Sequence, residues 1–238
     1  MESSPSRNLT QQLVHDLGKA IVHGKYDVAQ SLPSEAEICD QFSISRSAVR
    51  EAVKTLTAKG LISSRPRQGI RVLPRDRWNL FDTDVLGWIL SGKPTLQMLK
   101  HFLQLRGAIE PAAAELAAVG ATVTKLRNLE TALARMKAAE KGLDDPLDAD
   151  IEFHISILMA TGNPFYVQLR SFIETALRVS IRFTNQIKGV QAADYNIHAA
   201  IFNAIAEGNP ADARRYCEEI HKEAIALIDS ELVRQEAL

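Results

Sequence analysis

Four side chains in the C-terminal half of the sequence have the types and spacing of a metal site. Asp150 and His154 are four residues apart in a helical pattern, so they share one helix face. His198 and His221 lie on the apolar faces of two later helical patterns. Three imidazoles and one carboxylate suit a borderline divalent ion such as Zn²⁺, Ni²⁺ or Mn²⁺. Spacing alone leaves a second interpretation open, because a single inward histidine is more often a hydrogen-bonded core residue than a ligand.

Arg106 is a candidate anion-binding residue. It falls on the same apolar helix stripe as Leu99 and Ile109, and an inward guanidinium is costly unless an anion pairs with it. Glu110, one helical turn later, is one candidate partner. The carboxylate of a bound ligand is the other, and the sequence does not decide between them.

Three further residues are candidate contacts for a small-molecule effector: Asn163, Arg178 and Asn203. Asn163 stands in a Gly-Asn-Pro run, where asparagine caps a helix and proline begins it, so an architectural role also explains it. Surface exposure is the simpler explanation for Arg178. Asn203 has only its polarity in its favour.

The elements that carry these residues are helices. From residue 94 to residue 238 the apolar positions recur every three or four residues, and no segment alternates as a strand does. Gly-Asn-Pro at 162–164 and again at 208–210 ends one helix and starts the next. We therefore expect an all-helical C-terminal domain over residues 94–238.

A different order of elements precedes this domain, over residues 1–75. Ser34 and Glu37 form a capping box at the start of a short helix, and a tight turn follows at residues 42–45. The next helix ends near Gly60, and residues 61–73 have the pattern of a hairpin. Helix, turn, helix and hairpin predict a winged helix-turn-helix. Residues 76–93 predict a helical connector packed on a core, because they are too apolar for a free tether.

The winged module has the side chains that read DNA. Arginine grips guanine in bidentate fashion, serine bonds to phosphates or base edges, and glycine lets the backbone approach closely. The candidate DNA contacts are Ser45, Arg46, Ser47 and Arg50 at the start of the helix after the turn, and Arg67 and Gly69 in the wing. A small helical domain with an exposed charged helix is the alternative, and the combination of cap, turn, glycine stop and basic wing favours DNA.

Charge and composition agree with one DNA-binding module in a cytoplasmic protein. The net charge is −1, but residues 1–77 carry +4 and the remainder carries −5. No apolar run approaches the roughly 18 residues of a membrane helix, and the first ten residues lack the apolar core of a secretory signal. Cys39 and Cys217 favour a reducing compartment over a disulfide framework. We expect no membrane partner.

The N-terminal segment resembles the GntR superfamily of bacterial regulators. LPSE from Leu32, SRSAVREAVKTLTAKGLI from Ser45 and RPRQGIRV from Arg65 carry the resemblance. In that family the residues matching Arg46, Arg50 and Gly69 contact operator DNA. Ala36 departs from the pattern, because many members carry a DNA-contacting arginine there. The operator preference should therefore differ from the commonest type.

The C-terminal segment resembles the effector domain of the FadR branch, known as FCD. The motifs are LRGAIEPAAAELAA, DIEFHISILMATGNP, HAAIFNAIAEGNPADA and EEIHKEAI. The resemblance implies an antiparallel helical bundle around a central cavity, a homodimer, and a divalent metal held by Asp150, His154, His198 and His221. It also implies a carboxylate effector that completes the ion's coordination, with a sugar acid such as D-galactonate as the closest expectation.

The function implied by the resemblance is regulation of a sugar-acid operon. The simplest form is a repressor that the acid releases from double-stranded operator DNA. Transcriptional activation and metal sensing are alternatives on the same fold. A metal-dependent enzyme with an accessory DNA-binding domain is a third, and the lack of an acid–base motif beside the ligands argues against it. We expect no enzymatic activity.

Overall fold

The computed structural model describes residues 9–92, 94–190 and 192–236. The chain divides into two compact units, Met1–Lys93 and Pro94–Leu238. The predicted fold class is confirmed, because the described residues are mainly helical with one two-stranded sheet in the first unit. The first residues of the predicted N-terminal domain (1–8), the last residue of the predicted connector (93) and the last residues of the predicted C-terminal domain (237–238) lie outside the described residues. Among the described helices, none is long and apolar enough to cross a membrane.

The first unit has the element order of a winged helix-turn-helix. Its elements are α1 (Leu9–Val22), α2 (Glu35–Phe42), α3 (Arg46–Ala58), β1 (Ile62–Arg65), β2 (Gly69–Val72), a 3₁₀ turn (Arg75–Arg77) and α4 (Thr83–Leu90). The strands β1 and β2 are antiparallel, with Ile62 opposite Val72 and Arg65 opposite Gly69. This hairpin is the predicted wing.

Local signals fix where the helices of the helix-turn-helix begin and end. The backbone N–H of Ser34 donates to Glu37 at 2.7 Å, and the Ser34 hydroxyl accepts from the Glu37 backbone at 3.3 Å, which completes the predicted capping box. Ser43 follows α2 in the left-handed conformation at φ 52°, so the chain turns sharply before α3. Val49 and Leu56 then face the core of this unit and are fully buried.

The predicted connector is part of the first unit's core. Trp78, Val85 and Trp88 are buried in the same cluster as the winged-helix side chains. The Trp88 indole N–H donates to Nδ1 of His15 on α1 at 2.9 Å. Residues 78–82 are not helical, since α4 begins only after Asp82, whose carboxylate caps it. The connector therefore packs on the core of the first unit, with a shorter helix than its apolar pattern suggests.

The second unit contains the remaining helices. They are α5 (Leu96–Gly120), α6 (Val123–Ala139), α7 (Pro146–Ala160), α8 (Pro164–Gln168), α9 (Arg170–Lys188), α10 (Tyr195–Ala206) and α11 (Pro210–Glu236). The long helices α5 and α11 pack along each other, and α6 packs on α7. Side-chain caps start most of these helices, among them Thr95, Thr122 and Asp145. The alternation of caps and apolar stripes explains why the regular structure among the described residues of this segment is helical.

Gly18 on α1 lies against the Trp88 ring, and a β-carbon there would overlap the ring. Gly18→Ala should therefore destabilise the protein although alanine is the better helix former. Overpacking costs about 1–3 kcal/mol, and the overlap with several ring carbons of Trp88 places this substitution at the upper end of that range. The helix preference returns about 1 kcal/mol, so we expect a net loss of about 2 kcal/mol. Denaturant titration measures this loss.

Gly120→Ala is the matched control for this substitution. Gly120 is also helical, and a β-carbon there would meet no described atom within 4 Å. Its substitution should be neutral or stabilising. Equal stability of Gly18→Ala and the unchanged protein would contradict the close approach of α1 to Trp88.

Candidate functional site

Three of the four predicted metal ligands meet inside the second unit. Asp150 and His154 come from α7, and His198 comes from α10. The Nε2 atoms of His154 and His198 lie 3.3 Å and 3.4 Å from Oδ1 of Asp150. One ligand atom from each residue lies within 4.8 Å of the others. We call this group the Asp–His–His cluster; all three side chains are buried.

Local structure orients both parts of the cluster. Asp145 caps α7 and Pro146 occupies its first turn, so the four-residue step places Asp150 and His154 on one face. On α10, Nδ1 of His198 lies 2.6 Å from the backbone oxygen of Asp194. A carbonyl oxygen only accepts, so Nδ1 carries the proton and Nε2 turns its lone pair toward Asp150. His198 is thus held in the form that binds metal.

Unpaired polar atoms test whether the cluster fits a metal ion. Among the described side chains, four buried nitrogen or oxygen atoms have no hydrogen-bond partner: Asp150 Oδ1, His154 Nδ1, His198 Nε2 and His221 Nδ1. Such atoms are costly to bury and call for an explanation. Two of them, Asp150 Oδ1 and His198 Nε2, lie 3.4 Å apart without a hydrogen bond between them. A cation satisfies both at once, so the cluster fits a divalent ion.

The fourth predicted ligand, His221 on α11, lies beside the cluster rather than within it. Its Nε2 is 3.2 Å from Oε2 of Glu110 and 3.9 Å from the Cys217 sulfur. Its ring centroid is 6.3 Å from that of His154. The structure therefore places His221 next to the Asp–His–His cluster but in contact with a different carboxylate.

Glu110 is paired with Arg106 at the same place. Nε and Nη2 of Arg106 donate to the two carboxylate oxygens at 2.6 Å and 3.2 Å. Both side chains are buried, and Glu110 is fully so at 0% exposure. Of the two partners that the sequence allowed for Arg106, the structure has Glu110.

Opposite charges decide which of these groups are ionised. Burial opposes the charge on Glu110, but Arg106 and the two neighbouring histidines outweigh it and hold the pKa of Glu110 well below its usual value. Burial likewise opposes the charge on Asp150, and His154 and His198 outweigh it, so the pKa of Asp150 is lowered. For His154 burial acts against protonation, yet Glu110 and Asp150 raise its pKa to about 9.

Glu110, Cys217 and His221 form a second group whose ligand atoms lie within 4.8 Å of one another. This group suits a metal less well. Burial and the nearby Glu110 charge raise the pKa of the Cys217 thiol well above its usual value, and only the thiolate is a good ligand. The Glu110 carboxylate is already occupied by Arg106. The Asp–His–His cluster is therefore the better candidate.

A cavity of about 300 Å³ opens beside the Asp–His–His cluster. Arg106 and all three cluster residues line it, and α9 and α10 supply further walls that include Thr184, Asn185, Lys188 and Ile197. Its size is at the lower end of small-molecule sites. Sequence reasoning missed Thr184 and Asn185, although Thr184 continues the inward stripe of Ile173, Leu177 and Ser180 on α9.

The predicted DNA-contacting helix residues lie together on the first unit. Ser45 caps α3, and its hydroxyl accepts from the backbone of Ala48 at 3.3 Å and lies 2.9 Å from the Ser47 hydroxyl. Arg46 and Arg50 follow on the exposed side of the helix. Nε of Arg50 donates to Glu35 of α2 at 3.0 Å, with the arginine side chain 65% exposed. An exposed pair of this kind is weak and leaves Arg50 able to exchange partners.

The predicted wing contacts lie at the hairpin turn between β1 and β2. Arg67 and Gly69 both have positive φ angles, 64° and 72°, so the turn is tight and Arg67 is held at its tip. Both residues are exposed. A β-carbon on Gly69 would meet no described atom within 4 Å, so its conformation rather than crowding explains the glycine.

Family models match both units. Residues 9–72 match bacterial regulatory proteins of the gntR family, and residues 101–222 match the FCD domain. The chain belongs to the GntR family. Proteins of this family are transcriptional regulators rather than enzymes, and they bind operator DNA and small-molecule effectors. FCD domains often bind metal.

Individual GntR relatives are similar over most of their length. The uncharacterized HTH-type transcriptional regulator YieP of Escherichia coli (strain K12) is 35% identical over 90% of this chain and 93% of its own. The galactonate operon transcriptional repressor of the same strain is 37% identical over 83% of this chain and 87% of its own. The solved structure of Lar, which controls the Listeria monocytogenes agr system, is 19% identical. The match covers 95% of this chain and 99% of the Lar chain, with a TM-score of 0.55. This similarity supports the fold alone.

Three of the effector contacts predicted for this GntR-family chain do not line the cavity. Asn163 caps α8 by accepting from the Phe165 backbone at 3.0 Å, so its side chain is used locally. Arg178 donates to Asp148 at 2.7 Å and lines a separate open groove between α6, α7 and α9. Asn203 lies on the exposed side of α10. Arg106 alone among the predicted effector contacts reaches the cavity.

Removing the metal from this regulator should lower its thermal stability if the Asp–His–His cluster holds an ion. Metal at 100 times its Kd adds about 2.7 kcal/mol when it binds only the folded chain. We expect His198→Ala to abolish the difference in melting temperature between Zn²⁺-loaded and chelator-treated protein. Differential scanning calorimetry measures it.

His101→Ala is the control for that substitution, because His101 lies exposed on α5 and faces Gln97 rather than the cluster. It should leave the metal-dependent shift intact. The same shift in His198→Ala as in the unchanged protein would contradict the cluster assignment.

Proposed function

We propose that this GntR-family regulator represses a sugar-acid catabolic operon and leaves its operator when the acid binds the cavity of the second unit. The observation that carries the proposal is the convergence of unpaired lone pairs, on Asp150 and His198, beside a cavity that Arg106 also lines. Together they offer a cation-binding point and a fixed positive charge within one small space. A compact organic anion with further oxygen donors matches both.

The metal is assigned to Asp150, His154 and His198, with His221, which lies beside them, as the fourth ligand. When bound, the ion offers open coordination positions to the carboxylate and hydroxyl oxygens of the effector. Arg106 supplies a charged donor at the cavity wall, and Thr184 and Asn185 supply neutral hydrogen-bonding groups. This donor set favours a hydroxy acid over an apolar ligand.

The sugar-acid class is supported by similarity rather than by geometry alone. The Escherichia coli galactonate operon repressor is 37% identical over most of both chains. D-Galactonate or a related aldonate is therefore our first choice of effector. A six-carbon acid is compatible with a cavity of about 300 Å³.

Operator binding is assigned to the start of α3 and to the wing. Ser45, Arg46, Ser47 and Arg50 present hydrogen-bonding and charged groups to the major groove, and Arg67 and Gly69 approach the backbone. We propose a homodimer, because two-fold related recognition helices read two operator half-sites. The effector favours an arrangement of the dimer in which the helices no longer match those half-sites.

Arg50→Ala should remove most sequence-specific DNA binding and leave effector binding unchanged. A bidentate arginine–guanine contact is worth about 1–3 kcal/mol of discrimination per site, and a dimer loses it twice. The measurement is fluorescence anisotropy on a fragment selected from a random-sequence DNA library with the unchanged protein. Arg127→Ala, an exposed arginine of α6, removes the same charge outside the first unit. If both variants bind the fragment equally well, the recognition-helix assignment is wrong.

A thermal-shift screen of sugar acids tests the effector proposal. An aldonate at 100 times its Kd should add about 2.7 kcal/mol to the stability of Zn²⁺-loaded protein. The shift should disappear after chelation and in Asp150→Asn. Stabilisation by the acid that survives chelation would contradict a metal-bound effector. DNA release by Zn²⁺ without any acid would instead favour a metal sensor.

A further inference from the structure

Glu110 is a meeting point of three helices. It lies on α5 with Arg106, and it is approached by His154 of α7 and His221 of α11. Its Oε2 lies 2.7 Å from Nδ1 of His154, 3.2 Å from Nε2 of His221 and 3.2 Å from Nη2 of Arg106. One fully buried carboxylate thus faces two of the proposed metal ligands and the cavity arginine.

The position of Glu110 determines which nitrogen of His154 can bind a metal. Nε2 of His154 faces Asp150 in the cluster, and Nδ1 faces Glu110. A carboxylate only accepts, so it favours the tautomer with the proton on Nδ1 and the lone pair on Nε2. The 2.7 Å separation is that of a hydrogen bond, although the ring is turned away from ideal alignment.

The same arrangement occurs behind the other histidine of the cluster. The backbone oxygen of Asp194 lies 2.6 Å from Nδ1 of His198, whose Nε2 faces Asp150. Each cluster histidine therefore has an oxygen acceptor on the far side of its ring. Acceptors placed in this way fix ring orientation and strengthen metal binding in proteins.

His221 gives Glu110 a second role. The carboxylate lies 3.2 Å from Nε2 of His221, and the opposite nitrogen, Nδ1, is buried without a hydrogen-bond partner. The ring is therefore fixed next to the cluster at 6.3 Å from the His154 ring. Arg106 in turn fixes the carboxylate through two hydrogen bonds.

We infer that Glu110 is a positioning residue for the metal site, which orients His154 and His221 for the ion while Arg106 holds its carboxylate in place. This inference rests on the proposed metal site. It assigns no ligand role to Glu110, because both of its oxygens accept hydrogen bonds from Arg106. Arg106, which lines the cavity, and the proposed ligands His154 and His221 consequently lie against the same carboxylate.

The test is the Zn²⁺ affinity of full-length Glu110→Gln, measured by competition with a chromophoric chelator. Loss of an outer acceptor of this kind weakens metal binding about 10–100-fold, and we expect a loss in that range. Glu115→Gln is the matched control, since Glu115 is an exposed carboxylate on the same helix that pairs with Arg214. Its Zn²⁺ affinity should equal that of the unchanged protein.

A second variant covers the risk that Glu110→Gln folds poorly, because it leaves the Arg106 charge buried alone. Arg106→Gln/Glu110→Gln removes both charges and still lacks the carboxylate. It should show the same 10–100-fold loss. Unchanged Zn²⁺ affinity in whichever of these variants folds would overturn the inference.

Ring tautomers give a readout that general loss of packing would not move. Long-range ¹H–¹⁵N spectra of the Zn²⁺-loaded protein should show the His154 proton on Nδ1 in the unchanged protein and in Glu115→Gln. That preference should be lost in the double variant. A His154 proton on Nε2 in the unchanged protein would also overturn the inference.

The experiment separates the inference from the proposed metal site. If the unchanged protein takes up no Zn²⁺, the metal site fails and the inference fails with it. If the unchanged protein binds Zn²⁺ and both Glu110 variants bind it equally well, only the role of Glu110 is wrong.

Discussion

Burial of charge is the constraint on which the second unit depends. Glu110 and Asp150 are carboxylates in a core built mainly from aliphatic and aromatic side chains. Moving an ion out of water costs several kcal/mol even after relaxation, so each buried charge needs a partner at hydrogen-bond distance. The partners come from four helices, α5, α7, α10 and α11. The rotation and height of these helices are consequently set by polar contacts as much as by apolar packing.

The first unit follows the opposite rule, because its charges lie outside and its core is apolar. The arginines of α3 and the wing are exposed, whereas the buried cluster contains only apolar and aromatic side chains. Lys59 at the end of α3 is the informative exception: it donates to Asp82 and Asp84 at 2.7 Å and 2.8 Å. This contact joins the end of α3, the proposed recognition helix, to the start of α4. The position of α3 therefore depends on the position of the connector.

Caps and periodicity are local, and sequence analysis predicted what they control. Ser34, Ser45 and the apolar stripes sufficed for the helix-turn-helix, and the four-residue step sufficed for Asp150 and His154. The cavity contacts were harder, because whether a side chain reaches a cavity depends on how distant helices rotate against one another. Asn163 and Arg178 satisfy local partners, while Thr184 and Asn185 line the cavity. The shared role of Glu110 needs three helices at once, which no local pattern encodes.

The sequence separation of the cluster residues has a consequence for biosynthesis. Asp150 and His154 emerge from the ribosome well before His198, and His221 lies near the end of the chain. The proposed ion would meet all three of Asp150, His154 and His198 only after α10 has docked on α7, so metal loading would follow the packing of these two helices rather than precede it.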